Sequence, residues 1–295
     1  MIQALLSRLV YALLWLLHFL PLSVLARLGW GLGRLLFAVA RSRRHVGATN
    51  LALCFPHKTQ AERQALLREH FGWLGRSLLE RGLLWHASFD RLKRLIHVEG
   101  DIGLAQQSSQ SVMWLVPHFV GLELAGVAVQ LFQTRMGVDI YQTQSDPFWD
   151  RVLTKGRLRF GRGVAYPRGA SVRPVIKHIK EGYAFFNMPD MDFGPRDAIF
   201  APFFGVPAAT LMAPSRMAKS LNMLVQPVVV DMLPGGQGYR VRFFPALTNF
   251  PTDNPEQDTV WMNQFVEQLV LENPAQYLWV HKRFKTRPEG VGGVY

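Results

Sequence analysis

His118 and Glu123 stand in the stretch Ser111–Leu124, SVMWLVPHFVGLEL, as an imidazole and a carboxylate with four residues between them. An imidazole moves protons near neutral pH, and a carboxylate beside it fixes its tautomer. The pair is therefore a candidate general base with its orienting acid. Val112–Val116 is a short apolar run of strand type, and Pro117 stops it. A helix starting near Phe119 would hold Glu123 in its first turn, able to fold back toward the ring. A strand ending in a His-bearing loop, with a helix just after it, is where open α/β sheets place chemistry. Taken alone, the spacing also suits a core histidine satisfied by one hydrogen bond.

Three clusters could complete a site. The first runs from Pro147-Phe148-Trp149-Asp150-Arg151 to Gly156-Arg157-Leu158-Arg159, and its arginines either cover a phosphate or line a solvated helix face. The second, MPDMDFGPRD (Met188–Asp197), follows an apolar strand and puts Asp190 and Arg196 on the sheet edge that carries His118. An ordinary turn with Asx capping is its alternative. The third, FFGVPAAT (Phe203–Thr210), reads as an apolar turn entering a helix, suited to lining an acyl channel or simply buried. The candidate substrate-binding residues are thus Arg157, Asp190, Arg159 and Arg196.

Other chemistries lack their residues. The nine histidines are scattered with no i, i+4 pair, and Cys54 is the only cysteine, so no metal site is expected. No phosphate-binding G-x-x-x-x-G-K-[ST] loop and no G-x-S-x-G nucleophile elbow occurs. No cofactor is expected. The formal charge of +12 calls for an anionic partner. Aromatic residues interleave poorly with the basic ones, which argues against nucleic acid. Arg8, Arg27, Arg34, Arg41, Arg43 and Arg44 lie in residues 1–50, which hold no acidic residue. Basic charge beside the most apolar segment points to anionic membrane lipids.

The elements that must position these groups follow from periodicity. Leu9–Ala26 is an 18-residue run without formal charge between Arg8 and Arg27, near the lower length for a membrane span. His18 and Pro21 interrupt it, so a tilted span and an in-plane anchor both stay open, with a cleaved signal peptide as rival. Gly29, Gly31 and Gly33 lack the strand and spacing of a dinucleotide fingerprint and suit close helix packing or a kink. Thr59-Gln60-Ala61-Glu62 fits a capping box ahead of an amphipathic helix to about Trp85. From Leu95, strand-like runs at 96–98, 112–116, 138–141, 183–188, 224–230 and 239–244 alternate with helical candidates at 122–132, 147–160, 171–180, 210–220 and 258–272. The fold class is α/β, a largely parallel central sheet flanked by helices. The alternation in Tyr239–Phe243 reads as a half-exposed edge strand. Residues 1–45 are expected to be a membrane-anchoring helical segment with a basic juxtamembrane stretch, and 46–295 the catalytic domain.

PHFVGLEL, DPFWDRVLTKGRLRFG, MPDMDFGPRDAIFAPFFGVPAAT, QPVVV and QYLWVHKRFKTRP together resemble the bacterial lipid A late acyltransferases, the lauroyl and myristoyl transferases of the lysophospholipid acyltransferase superfamily. The resemblance runs from the N-terminal segment to Pro288. It implies an enzyme of the bacterial inner membrane, its catalytic domain on the cytoplasmic face. The acyl chain would pass from acyl carrier protein to a hydroxyacyl group of a lipid A precursor. His118 and Glu123 match the family's catalytic dyad, Arg157 its essential arginine and Asp190 its third-motif acid. Where many members carry an Asn-Trp or similar pair before the glutamate, this chain has Gly121-Leu122.

The chemistry agrees with that implication. A secondary hydroxyl needs a positioned base, and a thioester has a good leaving group. Backbone N–H groups after His118 are a plausible source of oxyanion donors, and Arg157 could bind a lipid or pantetheine phosphate. No serine or cysteine nucleophile is apparent, which favours direct transfer over an acyl-enzyme. A glycerophospholipid acyltransferase using the same dyad, or a non-catalytic membrane adaptor, are the alternatives.

Overall fold

The computed structural model describes residues 2–295. Its strands are β1 (Ile96–Gly100), β2 (Val112–Leu115), β3 (Gly137–Tyr141), β4 (Gly163–Pro167), β5 (Ala184–Asn187), β6 (Ala198–Phe203), β7 (Val206–Leu211), β8 (Leu224–Met232) and β9 (Tyr239–Phe243). Seven of them form one sheet in the order β1-β9-β8-β2-β5-β3-β4. Every pairing in it is parallel except β8 with β9. This is the mostly parallel α/β sheet expected from the alternating pattern. β2 lies at its centre with all four residues buried, because a strand covered on both faces must be apolar throughout.

Two strand expectations need correction. β9 is not an edge: it lies between β1 and β8. Its alternation arises because Tyr239, Val241 and Phe243 are buried while Arg240 and Arg242 find acids on the other face. Arg240 donates to Asp231 at 2.8 Å, and Arg242 to Glu272 at 2.7 Å. Phe203–Thr210 does not enter a helix either. It is the turn of a β6–β7 hairpin, in which Phe204 and Gly205 both take positive φ, 51° and 75°. That backbone matches the twist of the flanking strands.

The helices before the sheet are α1 (Ile2–Leu17), α2 (Leu22–Val39), α3 (Arg41–Cys54), α4 (Gln60–His86) and α5 (Phe89–Leu95). Within and after it come α6 (Leu104–Gln107), α7 (Glu123–Leu131), α8 (Pro147–Arg157), α9 (Arg173–Lys180), α10 (Ala213–Ser220) and α11 (Pro255–Glu272). The capping box of α4 forms: the Thr59 hydroxyl accepts from Glu62 N–H, and the Glu62 carboxylate accepts from Thr59 N–H at 2.7 Å.

The uncharged run Leu9–Ala26 is two helices, broken at His18–Leu20, with Pro21 entering α2. By length and composition Leu22–Val39 could cross a membrane, with 28% of it buried in the protein. Its buried residues Leu22, Leu25, Ala26, Gly29 and Gly33 form one stripe laid on α4. Gly29 and Gly33 permit the approach, since a Cβ at Gly29 would stand 2.6 Å from the Arg76 Cα and one at Gly33 would meet the Phe71 carbonyl. Gly31 faces open space. α1 packs through Ser7, Tyr11 and Leu14, while Leu5, Leu6, Leu9, Leu13, Leu16 and Phe19 are exposed, Phe19 at 62%. Residue 45 falls inside α3.

Candidate active site

β2 and β5 are neighbours with Leu115 opposite Asn187, so the loops that leave their carboxyl ends emerge side by side. One loop carries His118 and the other Asp190. The His118 Nδ1 lies 2.7 Å from Asp190 Oδ1, and the His118 backbone N–H donates to Asp190 Oδ2 at 2.9 Å. Both residues are buried, at 8% and 2% exposure. Burial pushes the Asp190 carboxyl up, but His118, through its charge and its two hydrogen bonds, holds it below the usual value. An ionised carboxylate accepts hydrogen bonds only, so Nδ1 carries the proton and Nε2 keeps its lone pair. Among the described residues Nε2 has no hydrogen-bond partner.

The His118 loop is held from behind by a strap at residues 276–281. Val120 N–H donates to the Gln276 carbonyl at 2.8 Å, and Leu278 N–H to the His118 carbonyl at 2.9 Å. Phe119 and Tyr277 form an antiparallel bridge. Gly121 fits against β8, where a Cβ would stand 3.0 Å from Val230 Cγ1. These ties occupy much of the backbone expected to supply oxyanion donors: Phe119 N–H donates to Pro117, and Leu122 N–H to Phe119.

Glu123 opens α7 as expected, but it does not fold back to the imidazole. Its carboxylate takes the Arg157 guanidinium from two sides, Oε1 to Nη2 at 2.6 Å and Oε2 to Nε at 3.0 Å. Asp190 already fills the position at Nδ1, and a half-buried guanidinium requires an anion. Burial raises the Glu123 carboxyl, yet Arg157, with help from Arg81, brings it down to about 2. Glu123 in turn raises Arg157 above its ordinary value. The Arg157 side chain is 30% exposed, and its Nη1 has no hydrogen-bond partner among the described residues.

The remaining sequence candidates separate. Arg159 lies outside this cluster: its guanidinium donates to the Leu84 and Ala87 carbonyls at 2.8 and 2.6 Å, closing the end of α4. Arg196 is exposed on its loop. Asp192 ties the second loop to the segment just beyond the strap, accepting from Thr286 N–H at 2.6 Å and from the Thr286 hydroxyl at 2.8 Å. Its own N–H donates to His281 Nε2 at 3.3 Å, and burial depresses that imidazole to about 4. Phe203 packs under the strap with Tyr277 and Phe284 in a core cluster rather than beside Glu123.

A pocket partly open to solvent, with a cavity volume of about 80 Å³, runs between α7, α8 and the sheet. Glu123, Arg157, Gln130, Gly137 and Gly163 all line it, and the Gln130 side-chain amide donates to the Arg157 carbonyl at 2.8 Å. Most of its wall is apolar, including Trp85, Trp114, Val127 and Phe186. Gly126 faces it with open space where a Cβ would sit. The sequence reading missed Asp139, which also lines it. The one signal was an acid inside the otherwise uncharged strand GVDIY.

An oriented imidazole beside an arginine-flanked apolar pocket defines a site suited to moving an acyl chain onto a hydroxyl. The family model for bacterial lipid A biosynthesis acyltransferases matches residues 1–286. The lipid A biosynthesis lauroyltransferase of Escherichia coli K12 is 34% identical over 285 residues, covering 96% of this chain and 92% of that protein. The palmitoleoyltransferase of the same organism is 32% identical over the same shares. Its myristoyltransferase is 29% identical, covering 90% of this chain and 81% of its own length. The chain belongs to the bacterial lipid A biosynthesis acyltransferase family. It is an acyltransferase.

Proposed function

We propose that the chain moves an acyl group from an acyl carrier protein thioester to a hydroxyacyl group of a lipid A precursor by direct transfer. The observation that carries this is the His118 imidazole, its Nδ1 on buried Asp190 and its Nε2 left open. Nε2 takes the acceptor hydroxyl proton as that oxygen attacks the thioester carbonyl. Asp190 stabilises the imidazolium that forms. The unpartnered Arg157 Nη1 donates to the developing oxyanion, and Glu123 holds the guanidinium for that task. Collapse of the tetrahedral intermediate breaks the C–S bond, and the imidazolium returns its proton to the departing thiolate. The pocket takes the acyl chain, in keeping with relatives named for lauroyl, palmitoleoyl and myristoyl transfer.

The acceptor is a membrane lipid, and the exposed apolar face of α1 is the surface that meets it. With α2 fastened along α4, the α1–α2 pair lies in the membrane plane instead of crossing it. Arg8, Arg27 and Arg34 then contact anionic headgroups on the cytoplasmic face of the inner membrane. Two experiments test these assignments. Incubation with a lipid A precursor and a series of acyl carrier protein thioesters should add one acyl mass to the precursor; acylation of a lysophospholipid instead would move the enzyme to glycerophospholipid chemistry. Leu9→Glu with Leu13→Glu should release the protein from anionic vesicles without changing its fold, whereas unchanged binding would reject the in-plane surface.

A further inference from the structure

Asp139 has no part in the proton transfer proposed above, yet it faces the same pocket. Its Oδ1 is buried without a hydrogen-bond partner. Leaving such an oxygen unmet is costly, and more so when it is charged. Two further polar atoms of the pocket wall, Trp114 Nε1 and Gln130 Oε1, are also buried and unmet. A plain hydrocarbon chain could satisfy none of the three. Burial pushes the Asp139 carboxyl up to about 6, opposed by Arg157 and supported by Glu123, with His118 a smaller influence. Asp139 shares the pocket wall with Glu123 and Arg157, the pair assigned above to the reacting carbonyl, so the first carbons of a bound acyl chain would pass it.

We propose that Asp139 is a specificity residue that hydrogen-bonds a hydroxyl on the carbons next to the thioester, so that 2- or 3-hydroxyacyl chains are favoured donors. The assignment rests on the acyl transfer proposed above. A hydroxyl both donates and accepts, so it satisfies Asp139 in either protonation state. The bond breaks no covalent link and leaves the transfer chemistry unchanged. A site built to bond a hydroxyl rejects the analogue that lacks it, because its own polar group is then stranded.

The test compares dodecanoyl with 2- and 3-hydroxydodecanoyl thioesters of acyl carrier protein, in the full chain and in Asp139→Leu and Asp139→Asn. The wild type should favour one hydroxylated donor by roughly 10²-fold in kcat/KM. Asp139→Asn should keep much of that preference, and Asp139→Leu should reverse it, making the plain chain the better donor. A wild-type preference for dodecanoyl that Asp139→Leu leaves unchanged overturns the assignment and gives the pocket's polar atoms to water. Displacement of a bound fluorescent fatty acid by dodecanoic and 3-hydroxydodecanoic acids reads the same discrimination without turnover. Failure of all transfer would thus count against the enzyme's proposed reaction, while the displacement ratio still decides the role of Asp139.

Discussion

The two acids at the site, Asp190 and Glu123, are treated in opposite ways by the fold. Asp190 sits in a rigid, almost fully buried corner where β2, β5 and the 276–281 strap meet, and both its oxygens serve His118. Glu123 sits in the pocket wall, where its partner Arg157 remains 30% exposed with one donor nitrogen unused. Burial without solvent fixes a tautomer, and partial exposure leaves a charge available to substrate. One region orients an imidazole and the other presents a cation.

The sharpest way to break that contrast is to remove the base. His118→Ala should lower kcat by about 10²–10⁴-fold with the melting temperature near wild type. Stability lost in step with activity would make His118 structural. Asp190→Asn should approach that loss, since the amide no longer demands a proton on Nδ1. Glu123→Gln should lose less. Equal losses for the two acid variants would erase the distinction.

A second comparison sets Arg157 against Arg159. Arg157→Ala should cost about 10²-fold in kcat/KM, the scale of one removed transition-state donor. Arg159→Ala should leave kcat near wild type and lower stability by about 1–2 kcal/mol, because the end of α4 loses two hydrogen bonds. Matching kinetic losses would mean that the wrong arginine has been placed at the pocket.

The smallest effect is thermodynamic. The Glu123 carboxyl falls from 4.5 to about 2 on folding, so the folded state binds the proton more weakly than the unfolded chain. Its contribution is complete above pH 4.5 and disappears as pH falls toward 2. Denaturant titrations between pH 6 and 3 should therefore show a shallower loss of stability in Glu123→Gln than in wild type, by on the order of 2 kcal/mol. Parallel curves would mean that the Arg157 pairing is not kept in solution.

Much of this was legible in the sequence because strand ends announce themselves. Val112–Val116 before His118, and the apolar strand before Asp190, needed only run length and proline. The partners were not legible, because Asp190 reaches His118 through sheet order: β5 pairs with β2, and the two residues lie 72 positions apart. β4 escaped notice because Gly163 and Pro167 bound a run too short to read. The alternation in β9 suggests exposure at an edge, but ion pairs on one face produce the same pattern in an interior strand. Asp139 was invisible for a different reason, since a single acid in a strand tells nothing of the cavity it will face.

The strap at residues 276–281 also bears on when the enzyme begins to work. These residues are synthesised long after the His118 loop, yet they supply the hydrogen bonds that hold it. A nascent chain still tethered to the ribosome has its anchor helices and most of its sheet before that loop is fastened. On the in-plane attachment proposed above, membrane binding can precede chemical competence, and the His118 imidazole acquires its final setting only afterwards.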